Sequence, residues 1–132
     1  SAVLGYAVPA AIGAQIANPG RAVLAAMGDG GFMFSVNELA TAVKYRLPIV
    51  FLVVNDDRFG AIKWLQERMF EGRWGEADLA NPDFVKLAHA FGARGVKVKG
   101  LDDLGDAIRA GFVADGPTLV ELNMVIDPPW DV

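Results

Sequence analysis

The run Ile49-Val50-Phe51-Leu52-Val53-Val54 has no polar member and is fenced by Pro48 on one side and Asn55-Asp56 on the other. Six residues suit a strand better than a helix. A strand that is apolar on both alternating faces must be covered on both, as at the centre of a parallel sheet. This short segment therefore obliges the rest of the chain to supply helices for two faces of one sheet.

The flanking sequence supplies them. Pro9 to Ala17 is small and apolar, with Pro9 suited to a first helical turn, and Asn18-Pro19-Gly20 breaks it. Arg21 to Met27 reads as a second buried strand, ending in a glycine turn, Gly28-Asp29-Gly30-Gly31. Ser35 and Glu38 have capping-box spacing, which predicts a helix start with Val36, Leu39, Ala42 and Val43 on its apolar face. Beyond the turn Asn55 to Gly60, Ala61 to Met69 reads as a helix, and Glu71 to Ala80 as a loop or flap without a period. Asn81-Pro82-Asp83 predicts another helix, with Asn81 as cap and Pro82 in the first helical position. Phe84, Leu87, Ala88 and Phe91 form its apolar face and Gly92 its stop. A strand over Gly95 to Val98, a helix over Leu101 to Val113 and a strand over Leu119 to Val125 follow, and Pro128-Pro129 ends the order.

This alternation predicts one α/β domain over 1–132: a doubly wound parallel sheet with helices on both faces and right-handed crossovers. Ligands of such sheets lie beyond the carboxyl ends of the strands. The turns Gly28–Gly31 and Asn55–Gly60 both follow strands and precede helices, so they are expected side by side at that end.

Composition narrows the function classes. A net charge of −4 with no basic stripe argues against a nucleic-acid binder. The absence of cysteine excludes a disulfide framework, a Cys-ligated zinc site and a thiol nucleophile. It fits a reducing compartment, and a cytoplasmic location is expected. No apolar run reaches membrane-spanning length. The chain opens at Ser1-Ala2-Val3-Leu4-Gly5, already inside apolar sequence, so a piece of a longer polypeptide is expected.

The two turns carry the chemistry. Three glycines around Asp29 allow close backbone approach to a ligand. A carboxylate among them repels phosphate unless a hard divalent cation stands between. Asp56 and a backbone carbonyl two residues on add oxygen ligands, and Phe59-Gly60-Ala61 opens a helix whose amino end suits phosphate. Together these describe a magnesium–diphosphate site. A P-loop would need Gly-Lys-Ser/Thr where Gly31-Phe32-Met33 stands, and the dinucleotide fingerprint lacks its third glycine.

Gly28-Asp29-Gly30, then 24 residues (31 to 54), then Asn55-Asp56 resembles the thiamine-diphosphate signature. Leu4 to Ala14, Phe59 to Trp64, and Asn81-Pro82-Asp83-Phe84 through Gly92 extend the resemblance to the acetolactate synthase and benzoylformate decarboxylase group. The resemblance implies the C-terminal diphosphate-binding domain of such an enzyme, with thiamine diphosphate and Mg²⁺ as cofactors and 2-oxo acids as substrates for decarboxylation or acyl transfer. It implies Asp29, Asp56 and the Arg58 carbonyl as metal ligands, with Asp57 an alternative to Asp56. Gly28, Gly30, Gly31, Phe59, Gly60 and Ala61 would cradle the diphosphate. Leu4 would prop the cofactor in its bent form, the Ala2 carbonyl would take the pyrimidine amino group, and Ile62 would touch substrate.

The chain departs from the family at Asp56, where the family has asparagine. No catalytic residue is expected in this chain: the activating glutamate belongs to a pyrimidine-binding domain that these residues do not include. A homodimer or homotetramer is implied for the full protein. Two other readings stay open: a non-catalytic magnesium–diphosphate or regulatory module, and a receiver-like signalling domain. His89 is expected to be structural or solvent-facing, Trp64 and Trp74 to pack, and Arg68 and Arg73 to be solvated.

Overall fold

A computed structural model describes residues 3–126. The elements, in chain order, are α1 (Ala7–Ala17), β1 (Val23–Gly28), α2 (Asp29–Met33), a 3-10 turn (Val36–Glu38), α3 (Leu39–Lys44), β2 (Ile49–Asn55), α4 (Gly60–Met69), α5 (Phe84–Phe91), β3 (Arg94–Val98), α6 (Leu101–Phe112) and β4 (Thr118–Asn123). The sheet is parallel throughout, in the order β1-β2-β4-β3.

Side-chain alternation along β2 divides the core. Ile49, Phe51 and Val53 point into one cluster with Val8, Ile12, Leu39, Ala42, Phe84 and Ala88 from α1, α3 and α5. Val50 and Leu52 point the other way, into a cluster with Val98, Val120, Leu122 and the α6 residues Leu104 and Ile108. The handedness rule accounts for this split. The crossovers β1→β2 and β2→β3 run in one direction across the sheet and β3→β4 returns, so right-handed connections put α6 opposite the others. The doubly wound arrangement is as the sequence predicts. Its second face is incomplete over β1, where Leu24 is 45% exposed.

Several local expectations are corrected. The glycine turn after β1 is a direct strand-to-helix junction: Gly28 ends the strand in extended conformation and Asp29 opens α2. Ser35 and Glu38 do not form a capping box. The Ser35 hydroxyl is buried without a partner, and the Glu38 carboxylate accepts from Asn37 Nδ2 and Thr41 Oγ1. The chain enters a 3-10 turn there, and Ser35 (φ −139°, ψ 24°) lacks the extended geometry that aims a cap hydroxyl at the next turn. Asn81 does not cap α5. Asp83 does, accepting from the Lys86 amide at 3.0 Å, and Pro82 lies ahead of the helix. The expected face, Phe84 with Leu87, Ala88 and Phe91, is the one that packs, and Gly92 ends the helix at φ 84°. The last strand stops at Asn123, and Pro128-Pro129 falls outside the described residues. Among the described residues no helix is long and apolar enough to cross a membrane.

Candidate functional site

Parallel register sets Gly28 beside Val54, so the β1–α2 and β2–α4 junctions are neighbours at the carboxyl edge of the sheet. Phe32, fully buried, lies one turn beyond Asp29 and meets the Phe84 ring edge-on at 5.7 Å. That contact ties α2 to α5 and fixes where Asp29 stands. Burying one such ring contributes about 1.5–3 kcal/mol, enough to hold a five-residue helix that could not stand alone.

A cleft of about 530 Å³ opens at this edge. Its floor is Gly28, Asp29, Gly30 and Gly31; its far wall is Arg58, Phe59, Gly60, Ala61 and Ile62; Val3 and Leu4 close one side. An adjoining hollow shares Gly28, Asp29, Arg58, Gly60 and Ala61, and adds Asp56. The structure thus brings together the residues proposed from the sequence for metal, diphosphate, cofactor and substrate, with two exceptions. Ala2 lies outside the described residues. Asp57 turns away in left-handed conformation (φ 54°), with its carboxylate 3.2 Å from Asn81 Nδ2.

The glycines are cut to fit. A Cβ on Gly30 would lie 2.4 Å from the Phe59 ring, and one on Gly60 would lie 2.9 Å from Asp56 Oδ2. Leu4 stands over Gly31, 3.8 Å from where its Cβ would be. The Gly60 amide donates to the Arg58 carbonyl at 3.0 Å, so that oxygen keeps one lone pair for another partner.

The two carboxylates are held differently. Asp29 is 1% exposed and accepts from Asn81 Nδ2 at 2.5 Å. Asp56 accepts from Arg58 Nε at 2.9 Å. Behind them runs a polar chain, buried at Asn55 and Glu121: Asn81 Nδ2 also lies 3.1 Å from Asn55 Oδ1, Asn55 Nδ2 donates to Glu121 Oε1 at 2.9 Å, and the exposed Lys97 Nζ meets the same oxygen at 2.9 Å.

Asn81 and Glu121 were not read as site residues from the sequence. Glu121 left a signal, because a carboxylate inside Leu119-Val120-Glu121-Leu122 must find a partner when its strand is covered. That partner, Lys97, is its register mate on β3, and register is invisible before folding. Asn81 left a weaker one: two cap candidates flank Pro82, and one helix needs only one of them.

Among the described residues no three His, Cys, Asp or Glu side chains converge as a self-sufficient metal site. The donor set at the cleft is two carboxylates and a main-chain carbonyl, all oxygen. It fits a hard cation that fills its remaining positions with phosphate oxygens and water, as Mg²⁺ does. The first-turn amides of α4, which lack partners four residues back, fit the phosphates.

His89 is exposed, as expected, and Trp64 is half-buried under the Arg68 guanidinium, 5.4 Å from its ring centre. Trp74 is not a packing residue. It is 61% exposed, with Lys63 Nζ 5.6 Å from its ring centre.

Comparison with known proteins agrees with this arrangement. The profile of the thiamine pyrophosphate enzyme C-terminal TPP binding domain matches residues 1–122. An acetolactate synthase of Bacillus subtilis is 42% identical over 119 residues, which is 90% of this chain and 21% of that protein. The acetolactate synthase isozyme 2 large subunit of Escherichia coli is 36% identical over 122 residues, 92% of this chain and 22% of that protein. A solved thiamine diphosphate-dependent 4-hydroxybenzoylformate decarboxylase of Rhodococcus jostii superposes with a TM-score of 0.87 at 35% identity, covering 94% of this chain and 24% of that one. The chain spans about a fifth of the length of the curated relatives it matches. It belongs to the thiamine pyrophosphate enzyme family, as that family's C-terminal TPP-binding domain.

Proposed function

We propose that this domain holds the magnesium–diphosphate end of thiamine diphosphate in an enzyme that decarboxylates 2-oxo acids or transfers the acyl group they yield. The observation that carries the reading is the meeting of Asp29 and Asp56 at adjacent strand ends, over a glycine-lined cleft. Asp29 and Asp56 supply carboxylate oxygens to Mg²⁺, and Arg58 supplies its carbonyl. Asp56 is preferred over Asp57 because it borders the cleft that Asp29 borders, whereas the Asp57 carboxylate faces Asn81. Without side chains, Gly30 and Gly31 let the diphosphate approach the main chain, and the Ala61 amide receives it, joined by the Gly60 amide once that gives up the Arg58 carbonyl. Leu4, which stands over Gly31, bears on the cofactor's ring pair, and Ile62 meets substrate; that both line the cleft, Ile62 48% exposed, supports this.

When bound, the cofactor supplies the carbanion and the electron sink that 2-oxo acid chemistry requires. The residues here orient it and neutralise its phosphates. The pyrimidine half of the site and the activating glutamate come from a further domain, with the whole active site assembled in a dimer or tetramer. The 132 residues alone are expected to bind but not to turn over a 2-oxo acid.

The test is calorimetric titration of the whole enzyme with thiamine diphosphate, with and without Mg²⁺. Affinity is expected to fall on the order of 100-fold when Mg²⁺ is withheld or Asp29 becomes alanine. Binding indifferent to both would sink the assignment.

A further inference from the structure

We propose that Asn81 is a positioning residue for the metal site, orienting the Asp29 carboxylate and setting the spacing between the two junctions. The inference rests on the magnesium–diphosphate reading above. Asn81 Nδ2 lies 2.5 Å from Asp29 Oδ2, 3.1 Å from Asn55 Oδ1 and 3.2 Å from Asp57 Oδ1. All three are acceptors, so the nitrogen side of the amide must face them; a flipped carbonyl would confront two carboxylates. One NH₂ has two hydrogens for three oxygens, and the shortest contact is the charge-assisted one, to Asp29. With Oδ2 held by a neutral donor, the other oxygen of Asp29 is left for a cation. The same nitrogen reaches both Asn55 and Asp57 on the second junction, so it braces one turn against the other.

The brace has a fixed anchor. Asn55 is pinned from behind by Glu121, which is 3% exposed and carries Lys97. Asn81 itself is released from helix duty. The following proline keeps it out of helical conformation, and Asp83 performs the capping. Asn81 also ends the flap, whose backbone is stitched to the second junction by Phe59 N–Ala77 O at 2.8 Å and Leu79 N–Asp57 O at 2.7 Å.

The experiment is a titration of the whole enzyme, saturated with thiamine diphosphate, with Mn²⁺ in place of Mg²⁺ and free Mn²⁺ counted by electron paramagnetic resonance. Asn81→Leu keeps the branched shape and removes the donor; it is expected to weaken Mn²⁺ roughly 10–100-fold, as loss of an outer-layer partner does. Asn81→Gln restores a donor and should recover most of that loss, which a packing defect would not do. Should Asn81→Leu fail to fold, Asn81→Ala, which also lacks a donor, carries the same comparison with Gln. Equal losses in the Gln and the donor-less variants, or no loss in any, would overturn the role of Asn81. Asp29→Asn is the control that separates the two claims: if it too binds Mn²⁺ like the parent, the metal-site reading itself has failed.

Discussion

The junctions after β1 and β2 are neighbours in register, yet they keep their carboxylates in opposite electrostatic states. Asp29 is sealed from solvent and held by a neutral amide rather than by a cationic side chain. The Asp56 side chain is 11% exposed and paired with the Arg58 guanidinium, whose side chain is 26% exposed. On the proposed reading, an incoming cation would meet no competing side-chain cation at Asp29. At Asp56 it would have to share the carboxylate with the Arg58 guanidinium or displace it. On the metal-site reading proposed above, two carboxylates at equivalent points of one sheet would therefore do different work: Asp29 would set affinity, and Asp56 would couple binding to a local rearrangement of Arg58.

The largest expected effect breaks that pairing apart. Asp29→Asn should cost more than the roughly 100-fold that loss of a supporting residue can cost, because the sealed carboxylate is the charge the cation comes for. Asp56→Asn should cost roughly tenfold or less: asparagine still offers an oxygen, and Arg58 no longer competes for it. Titration of Mg²⁺ at saturating thiamine diphosphate measures both, and equal losses would erase the distinction.

The glycines facing each junction sharpen the contrast in a different observable. At Gly30 the obstacle to a Cβ is the Phe59 ring, itself set edge-on against Phe34 at 6.4 Å. A packed ring cannot easily yield, so Gly30→Ala should lower the stability of the metal-free protein by roughly 1–3 kcal/mol. At Gly60 the obstacle is a carboxylate tip, which can swing aside. Gly60→Ala should leave stability nearly unchanged and weaken the metal instead, by moving Asp56. Urea unfolding alongside Mg²⁺ titration separates the two, and Gly30→Ala with native stability would show that the ring is free to move.

Much of this was legible before the fold was seen. The apolar run at β2, its punctuation, and the strand–helix alternation determine the sheet, and the two strand-end turns that carry Asp29 and Asp56 already pointed to the cleft at its carboxyl edge. What escaped was set by tertiary partners. The Ser35–Glu38 spacing is a cap only if the backbone at Ser35 is extended, and the fold bends it otherwise. Asn81 reads as a cap because local pattern cannot see Asp29, 52 residues earlier in the chain. Glu121 and Lys97 meet only through strand register. Trp74 lies in a flap without periodicity, where nothing local distinguishes an exposed ring from a packed one.

The smallest effect concerns the other side of Pro82, where Asp83 serves the helix while Asn81 serves the site. The Lys86 amide donates to the Asp83 carboxylate, and that bond, assisted by the Lys86 side chain, lowers its pKa below the ordinary 3.8. The folded state thus favours the charged form. The cap's contribution is fully present above the unfolded value and is lost as the pH falls through the lower, folded one. Asp83→Ala should lower the thermal midpoint by a small amount that is constant between about pH 5 and about pH 7. The gap should close as acid protonates the parent carboxylate, because the parent then also lacks its cap. Metal affinity should not change, since Asp83 contacts neither junction carboxylate and its loss leaves the Asn81 amide where Pro82 holds it. A midpoint difference that persists undiminished in acid, or an Asp83→Ala enzyme that binds Mg²⁺ more weakly, would mean that helix cap and metal brace are one unit rather than two functions of adjacent residues.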